Sequence, residues 1–188
     1  MAATGKARDQ IQGNPPCECM IFSVPLGYAA LVYRITPFAL LETFLPMLED
    51  KKLFVKIQKS YSCEIGSNKK AKKVSDSMAA YLKGISPKIS WPPWEWMDMG
   101  SLTPLEVMVL KKTAGIPYGE IRTYREIAEA IRRPRAYRFV GNTLAKNPFP
   151  ILIPCHRVFR SNLEPGGFGG GTELKRELVK LEQSHPLT

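Results

Sequence analysis

Three prolines, Pro148, Pro150 and Pro154, stiffen an apolar run that begins at Asn147 and ends in Cys155-His156-Arg157-Val158. Proline donates no backbone N–H and biases the preceding residue toward extended geometry, so this is a rigid, irregular segment that presents side chains, not a strand inside a sheet. Thiolate is the nucleophilic form of cysteine. An unperturbed thiol titrates near ~8.5, and a neighbouring base or cation makes it reactive at neutral pH. His156 and Arg157 are candidates for that base and that cation. The plain alternative is a buried cysteine acting as a small hydrophobe. A cysteine hydrolase would need turnover and an oxyanion hole.

The rest of the chain must position that segment. Its 188 residues suffice for one domain or two small ones, either with a workable core. Lys and Arg number 27 against 17 Asp and Glu, a net charge of +10 that favours a polyanionic partner. Residues 122–138 alone hold six Arg and two Glu. No apolar stretch approaches the roughly 20 residues of a membrane span. Met1 to Asn14 is polar, without the apolar core of a signal peptide, so the expected location is cytoplasmic. Cys17, Cys19 and Cys63 are too few and too unevenly spaced for a secreted disulfide framework. They read first as plain thiols, with a strained Cys17–Cys19 disulfide or a three-thiol metal site as alternatives. No nearby His completes a zinc spacing, and no metal or cofactor is expected.

Residues 1–16, ending in Asn14-Pro15-Pro16, read as a loosely tied arm. Met20 to Ile35 predicts two strands joined by a turn through Pro25 and Gly27. Phe38 to Leu48 has helical apolar spacing before Pro46, and Leu53 to Tyr61 alternates like a strand. Lys69-Lys70-Ala71-Lys72-Lys73 reads first as a solvated basic helix start or loop, with nucleic-acid contact as the alternative; Val74 to Leu82 is a short helix ended by Gly84, and Ser86 to Met99 a Pro- and Trp-rich linker. The expected division is an α/β unit over 1–98 and a second unit over 99–188. Thr103-Pro104-Leu105-Glu106 and Thr123-Tyr124-Arg125-Glu126 are capping boxes that start two helices. A turn at Arg132 and Arg133 leads to a third helix from Pro134 to Leu144. Helix, turn and Arg-rich helix together form a helix-turn-helix pattern. Ser161 to Gly171 lacks the Gly-Lys-Ser/Thr ending of a phosphate loop and reads as a flexible wall. Thr172 is the expected cap of a final helix that turns Leu174, Leu178 and Leu181 inward.

Asn147 to Val158 closely resembles the active-site signature of the O6-alkylguanine-DNA alkyltransferase family, and the resemblance runs from about Leu102 to about Glu182. It implies an α/β N-terminal domain of ribonuclease H-like fold and a mainly α C-terminal winged-helix domain. It further implies a monomer that binds duplex DNA from the minor groove, turns out an O6-alkylguanine, with O4-alkylthymine a second candidate, and moves the alkyl group irreversibly to Cys155. By the same resemblance, His156 takes the thiol proton through a water and Glu182 orients the imidazole. Asn147 braces the active-site turn, and Tyr124 helps rotate the target phosphate and donates to the guanine ring. Arg138 fills the gap left by the extruded base, with Arg135, Tyr137, Gly141 and Asn142 beside it on the DNA. Carbonyls at Cys155 and Val158 read the exocyclic amine, and Pro150, Phe168 and Gly169 line the pocket. Phe168 and Gly169 replace the family's usual Tyr and a frequent hydroxyl residue. Tyr137 and Phe139 replace small residues, and bulk there either alters the approach to DNA or packs into the core. The resemblance leaves a lesion-binding relative without an acceptor cysteine and a winged-helix regulator as the competing classes.

Overall fold

The structure, a computed structural model, describes residues 16–85 and 94–185. The expected arm over 1–16 lies outside the described residues except for Pro16, as do residues 86–93 of the Trp-rich linker. Cys17–Val24 (β1) and Gly27–Arg34 (β2) form the expected antiparallel hairpin. Ala39–Met47 (β3) and Cys63–Ile65 (β4) complete a sheet in the order β3-β2-β1-β4, with β4 parallel to β1. Side chains alternate across β1. Met20, Phe22 and Val24 join one apolar cluster, while Cys17, Cys19 and Ile21 join another.

Two expected elements exchange type. Phe38 to Leu48, expected as a helix, is largely strand β3; Leu53 to Tyr61, expected as a strand, lies mostly in helix α1, Asp50–Gln58. Strand β3 is an edge strand, so Pro46 forfeits no ladder bond inside the sheet. Its register against β2 shifts twice, which blurs the period-two signal. In α1, Leu53 and Ile57 share the buried face at four-residue spacing. The basic run opens the next helix, α2 (Lys69–Leu82), whose first amides bond to the Asn68 side chain.

Thr103 and Thr123 form both expected capping boxes, starting α3 (Pro104–Ala114) and α4 (Tyr124–Ala130). Arg132 adopts φ +57° and turns the chain toward α5, Tyr137–Ala145. This helix starts three residues later than expected at Pro134. The three helices pack against one another. The final helix, α6 (Gly171–Ser184), has Gly170 at its N-cap and no side-chain cap; Thr172 is exposed and does not serve. The fully buried face of α6 is Lys175, Leu178 and Glu182, with Leu174 and Leu181 only half-buried. One apolar cluster joins Leu31, Val74 and Met78 of the sheet half to Val109, Val140, Phe149 and Leu178 of the helical half. The fold is mixed α/β.

Candidate active site

Asn147 to Val158 is irregular as expected, apart from a single 3-10 turn over Cys155–Arg157. His156 therefore follows Cys155 on a tight turn, not on extended backbone. Ile151 holds φ +73°. For a buried β-branched residue that conformation costs on the order of 1–3 kcal/mol and persists only where the surroundings enforce it. Those surroundings come partly from the other end of the chain. The Thr43 N–H of β3 donates to the Pro148 carbonyl at 2.8 Å, and the Thr43 hydroxyl donates to the Pro150 carbonyl at 2.8 Å. Asn147 braces the turn from within: its Nδ2 donates to the Ile153 carbonyl at 2.9 Å, and its Oδ1 accepts from the Phe149 N–H at 3.0 Å. The same Nδ2 also donates to Cys155 Sγ at 3.2 Å, a contact the sequence did not reveal.

The Cys155 side chain is buried, and burial pushes its thiol up, opposed by the Asn147 hydrogen bond and the charge of Lys175. The group rests protonated and needs a base. His156 is fully buried. Burial pulls its imidazole down, against the hydrogen bond and charge of Glu182, so it is neutral and able to accept a proton. Its Nε2 lies 2.8 Å from Glu182 Oε1, which fixes the proton on Nε2. Nδ1 is buried and without a hydrogen-bond partner among the described residues, so the basic lone pair is there.

Glu182 is the hub. Burial alone would push its carboxyl up, but hydrogen bonds from His156 and Arg157, with the Arg157 charge, outweigh that and hold it at about 2. Arg157 donates from Nε to both carboxylate oxygens at 3.0 Å and from Nη2 to Oε1 at 2.9 Å; its Nη1 donates to the Ile116 carbonyl at 2.6 Å. Arg157 thus pairs with Glu182; none of its hydrogen bonds goes to Cys155. The Gly119 N–H donates to Glu182 Oε2 at 2.9 Å from a turn at φ +77°, a conformation that glycine reaches without penalty. The Tyr81 hydroxyl of α2 donates to Oε1.

Lys175, for which the sequence offers no sign of a role, is fully buried on the inward face of α6, one turn from Leu178. Its Nζ donates to the Val158 carbonyl and lies 4.8 Å from the Phe159 ring centre and 5.8 Å from that of Tyr124. Burial pulls the ammonium down to about 8, with Cys155 pushing the other way. Lys175→Met should slow transfer about tenfold by removing a cation that favours the thiolate, while thermal stability holds or rises because a costly buried charge is gone. Single-turnover kinetics beside a melting curve checks both.

Strand β5 (Arg122–Thr123) pairs in parallel with β6 (Val158–Phe159), so α4 starts beside the residues that follow Cys155. Tyr124 is the first residue of α4. Burial, then the proximity of Cys155, pushes its phenol up, which keeps it a neutral donor. A Cβ on Gly166 would collide with the Tyr124 hydroxyl, so the glycine-rich loop passes directly over this ring. Phe168 packs against the same cluster as Cys155 and Val158; Gly169 is exposed and Pro150 half-buried. On α5 and the turn before it, Arg135, Tyr137, Arg138 and Asn142 are exposed, and the Arg138 guanidinium stands 6.0 Å from the Tyr137 ring centre. Gly141 faces Tyr124. Tyr137 is 43% exposed, whereas Phe139 packs into the core. Cys17, Cys19 and Cys63 are free thiols where β1 meets β4, and no three-residue metal cluster occurs among the described residues.

Residues 104–184 match the family described as 6-O-methylguanine DNA methyltransferase, DNA binding domain. Over 114 residues the chain is 38% identical to the methylated-DNA–protein-cysteine methyltransferase of Methanosarcina mazei, a stretch covering 61% of this chain and 69% of that protein. The chain belongs to this family. The methylated-DNA–protein-cysteine methyltransferase name states the reaction, with methylated DNA as donor and a protein cysteine as acceptor. A second relative, from Methanosarcina barkeri, is 47% identical over 83 residues; the chain spans 52% of its length. The Mycobacterium tuberculosis O6-methylguanine methyltransferase structure superposes with a TM-score of 0.68 at 26% identity, covering 92% of this chain and 96% of that one. A structure of the same mycobacterial protein in complex with DNA gives 0.69 at 27% identity, covering 89% and 94%. No helix among the described residues is long and apolar enough to cross a membrane.

Proposed function

We propose that this chain repairs O6-alkylguanine in duplex DNA by moving the alkyl group irreversibly to Cys155. The observation that carries this reading is the Cys155, His156 and Glu182 constellation, in which a buried thiol, a neutral imidazole with a free Nδ1 and an ionised carboxylate follow one another. His156 Nδ1 takes the thiol proton through a bridging water. Sγ then attacks the alkyl carbon, the C–S bond forms as the C–O6 bond breaks, and the released electron pair passes into the guanine ring. Tyr124 donates toward the ring as that charge develops, and the carbonyls of Cys155 and Val158 accept from the exocyclic amine. Glu182 balances the imidazolium. The C–S bond of the thioether resists hydrolysis at neutral pH, so each protein acts once.

The buried thiol requires an extruded base. Arg138 enters from the minor groove and fills the gap, with Arg135, Tyr137, Gly141 and Asn142 along the same face. Pro150, Phe168 and Gly169 wall the pocket. The protein acts as a cytoplasmic monomer without cofactor, its N-terminal unit (1–98) ribonuclease H-like and its C-terminal unit (99–188) of winged-helix form. O4-alkylthymine is a second substrate of the same pocket.

The test is intact mass after incubation with an oligonucleotide carrying one O6-methylguanine, then peptide mapping. One methyl on Cys155, saturating without turnover, is the expected result; binding with unchanged mass would make the chain a lesion-recognition protein. Arg138→Ala should lower repair of duplex substrate by about 10-fold to 100-fold, the order of one or two lost contacts, while sparing reaction with free O6-benzylguanine. Equal losses on both substrates would remove the base-extrusion role.

A further inference from the structure

The helical half carries every residue of the relay described above, yet one of the hydroxyls bound to it comes from elsewhere. Tyr81 sits in the last turn of α2, in the half of the chain where the sequence shows no chemical motif. Its ring is buried and meets Tyr118 edge-on, with centroids 6.1 Å apart. Its hydroxyl donates to Glu182 Oε1 and stands 3.1 Å from His156 Nε2.

We propose that Tyr81 is a positioning residue of the alkyl-transfer relay, through which the N-terminal half sets the strength of the His156 base. This rests on the reading of Cys155, His156 and Glu182 given above. Oε1 is the oxygen that accepts His156 Nε2–H, and each further donor to it draws off charge available to the imidazole. Tyr81 is a neutral donor: burial, then the Glu182 charge, pushes its phenol far up. It therefore weakens the pull of Glu182 on His156 without adding a cation, and keeps the imidazole from resting protonated. The other ionisable groups around this point are Arg157 and Cys155 on the 3-10 turn, Lys175 on α6 and Tyr118 on the turn after α3. Arg157 and Lys175 add positive charge and act on the imidazole in the same direction as Tyr81.

The experiment is the pH profile of single-turnover methyl transfer in the full chain, for wild type and Tyr81→Phe, which keeps the buried ring. Below its acid limb His156 is protonated and accepts nothing. Without the hydroxyl, Oε1 holds Nε2–H more strongly, so the acid limb should move to higher pH by on the order of one unit, the size of one hydrogen bond to a charged group. Replacing Tyr81 with 3-fluorotyrosine, a stronger donor of nearly the same shape, should move the limb the other way. Tyr33→Phe removes a hydroxyl that binds Glu18, in the same unit but outside the relay, and should leave the profile in place. A Tyr81→Phe limb that coincides with wild type overturns the proposal, even if the rate falls uniformly, as does an equal shift in Tyr33→Phe. If wild type places no methyl on Cys155, the reading of the whole site falls and this proposal with it; a methyl on Cys155 with coincident limbs sinks Tyr81 alone.

Discussion

Cys155→Ala should abolish methyl transfer to the protein and leave its binding to duplex DNA intact. The loss should be complete because, on the proposed reading, the sulfur is the acceptor as well as the nucleophile, so no other group completes the reaction slowly. The folded state should survive. The substitution deletes one buried sulfur and one hydrogen bond from Asn147, whose Nδ2 keeps the Ile153 carbonyl as partner, and costs on the order of 1 kcal/mol. The DNA face proposed on α5 does not include Cys155. Intact mass and a gel-shift titration on the same oligonucleotide check the two halves of the statement. Methylation of the variant anywhere in the chain at wild-type stoichiometry would mean that Cys155 is not the acceptor.

Glu182→Gln should be the most damaging single substitution for stability and activity together. The carboxylate accepts from Tyr81, His156, Arg157 and Gly119. Glutamine has the shape but one oxygen and no charge, and its amide group must face one of those donors. Arg157, itself buried, would lose its counter-charge. Removing one partner of a buried ion pair typically costs about 3–5 kcal/mol, a Tm decrease of roughly 10 °C in a chain of this size. Transfer should slow by on the order of 100-fold or more, because the imidazolium formed when His156 takes the thiol proton would no longer be balanced. The effect depends on pH in a defined direction. The folded carboxyl sits at about 2, below its unfolded value near ~4.3. Its contribution is therefore fully present above pH ~4.3 and lost as the pH falls toward 2. The Tm gap between wild type and variant should be constant near neutrality and close in acid. A gap unchanged down to pH 3 would mean that the carboxylate contributes no charge to stability.

The sequence alone carried much of the local structure of the C-terminal half. The prolines before Cys155, the capping boxes at Thr103 and Thr123, and the Arg-rich stretch after Arg132 are local signals, and local signals survive without tertiary context. The N-terminal half failed where two states compete for the same apolar residues. Phe38 to Leu48 and Leu53 to Tyr61 carry too few residues for periodicity to decide, and burial on both sides of the sheet overrode each weak preference. The inward face of α6 differs from its apolar spacing for a related reason. Leu174, Leu178 and Leu181 look like the inward set, but the pocket beneath α6 takes Lys175 and Glu182, polar groups that burial rules would send outward.

What the sequence determined by itself was the irregular proline segment and the capped helix starts around the proposed reacting groups, because proline geometry and helix capping act within a few residues. Tertiary structure alone decided which partners those groups meet. Thr43 reaches Pro148 and Pro150 across more than 100 residues, Tyr81 reaches Glu182 across 101, and Arg157 turns to Glu182. No spacing rule links such pairs. They are set by the docking of a sheet, with α2 on one face, against the helices that carry the thiol, and that docking fixes which proton each buried group holds.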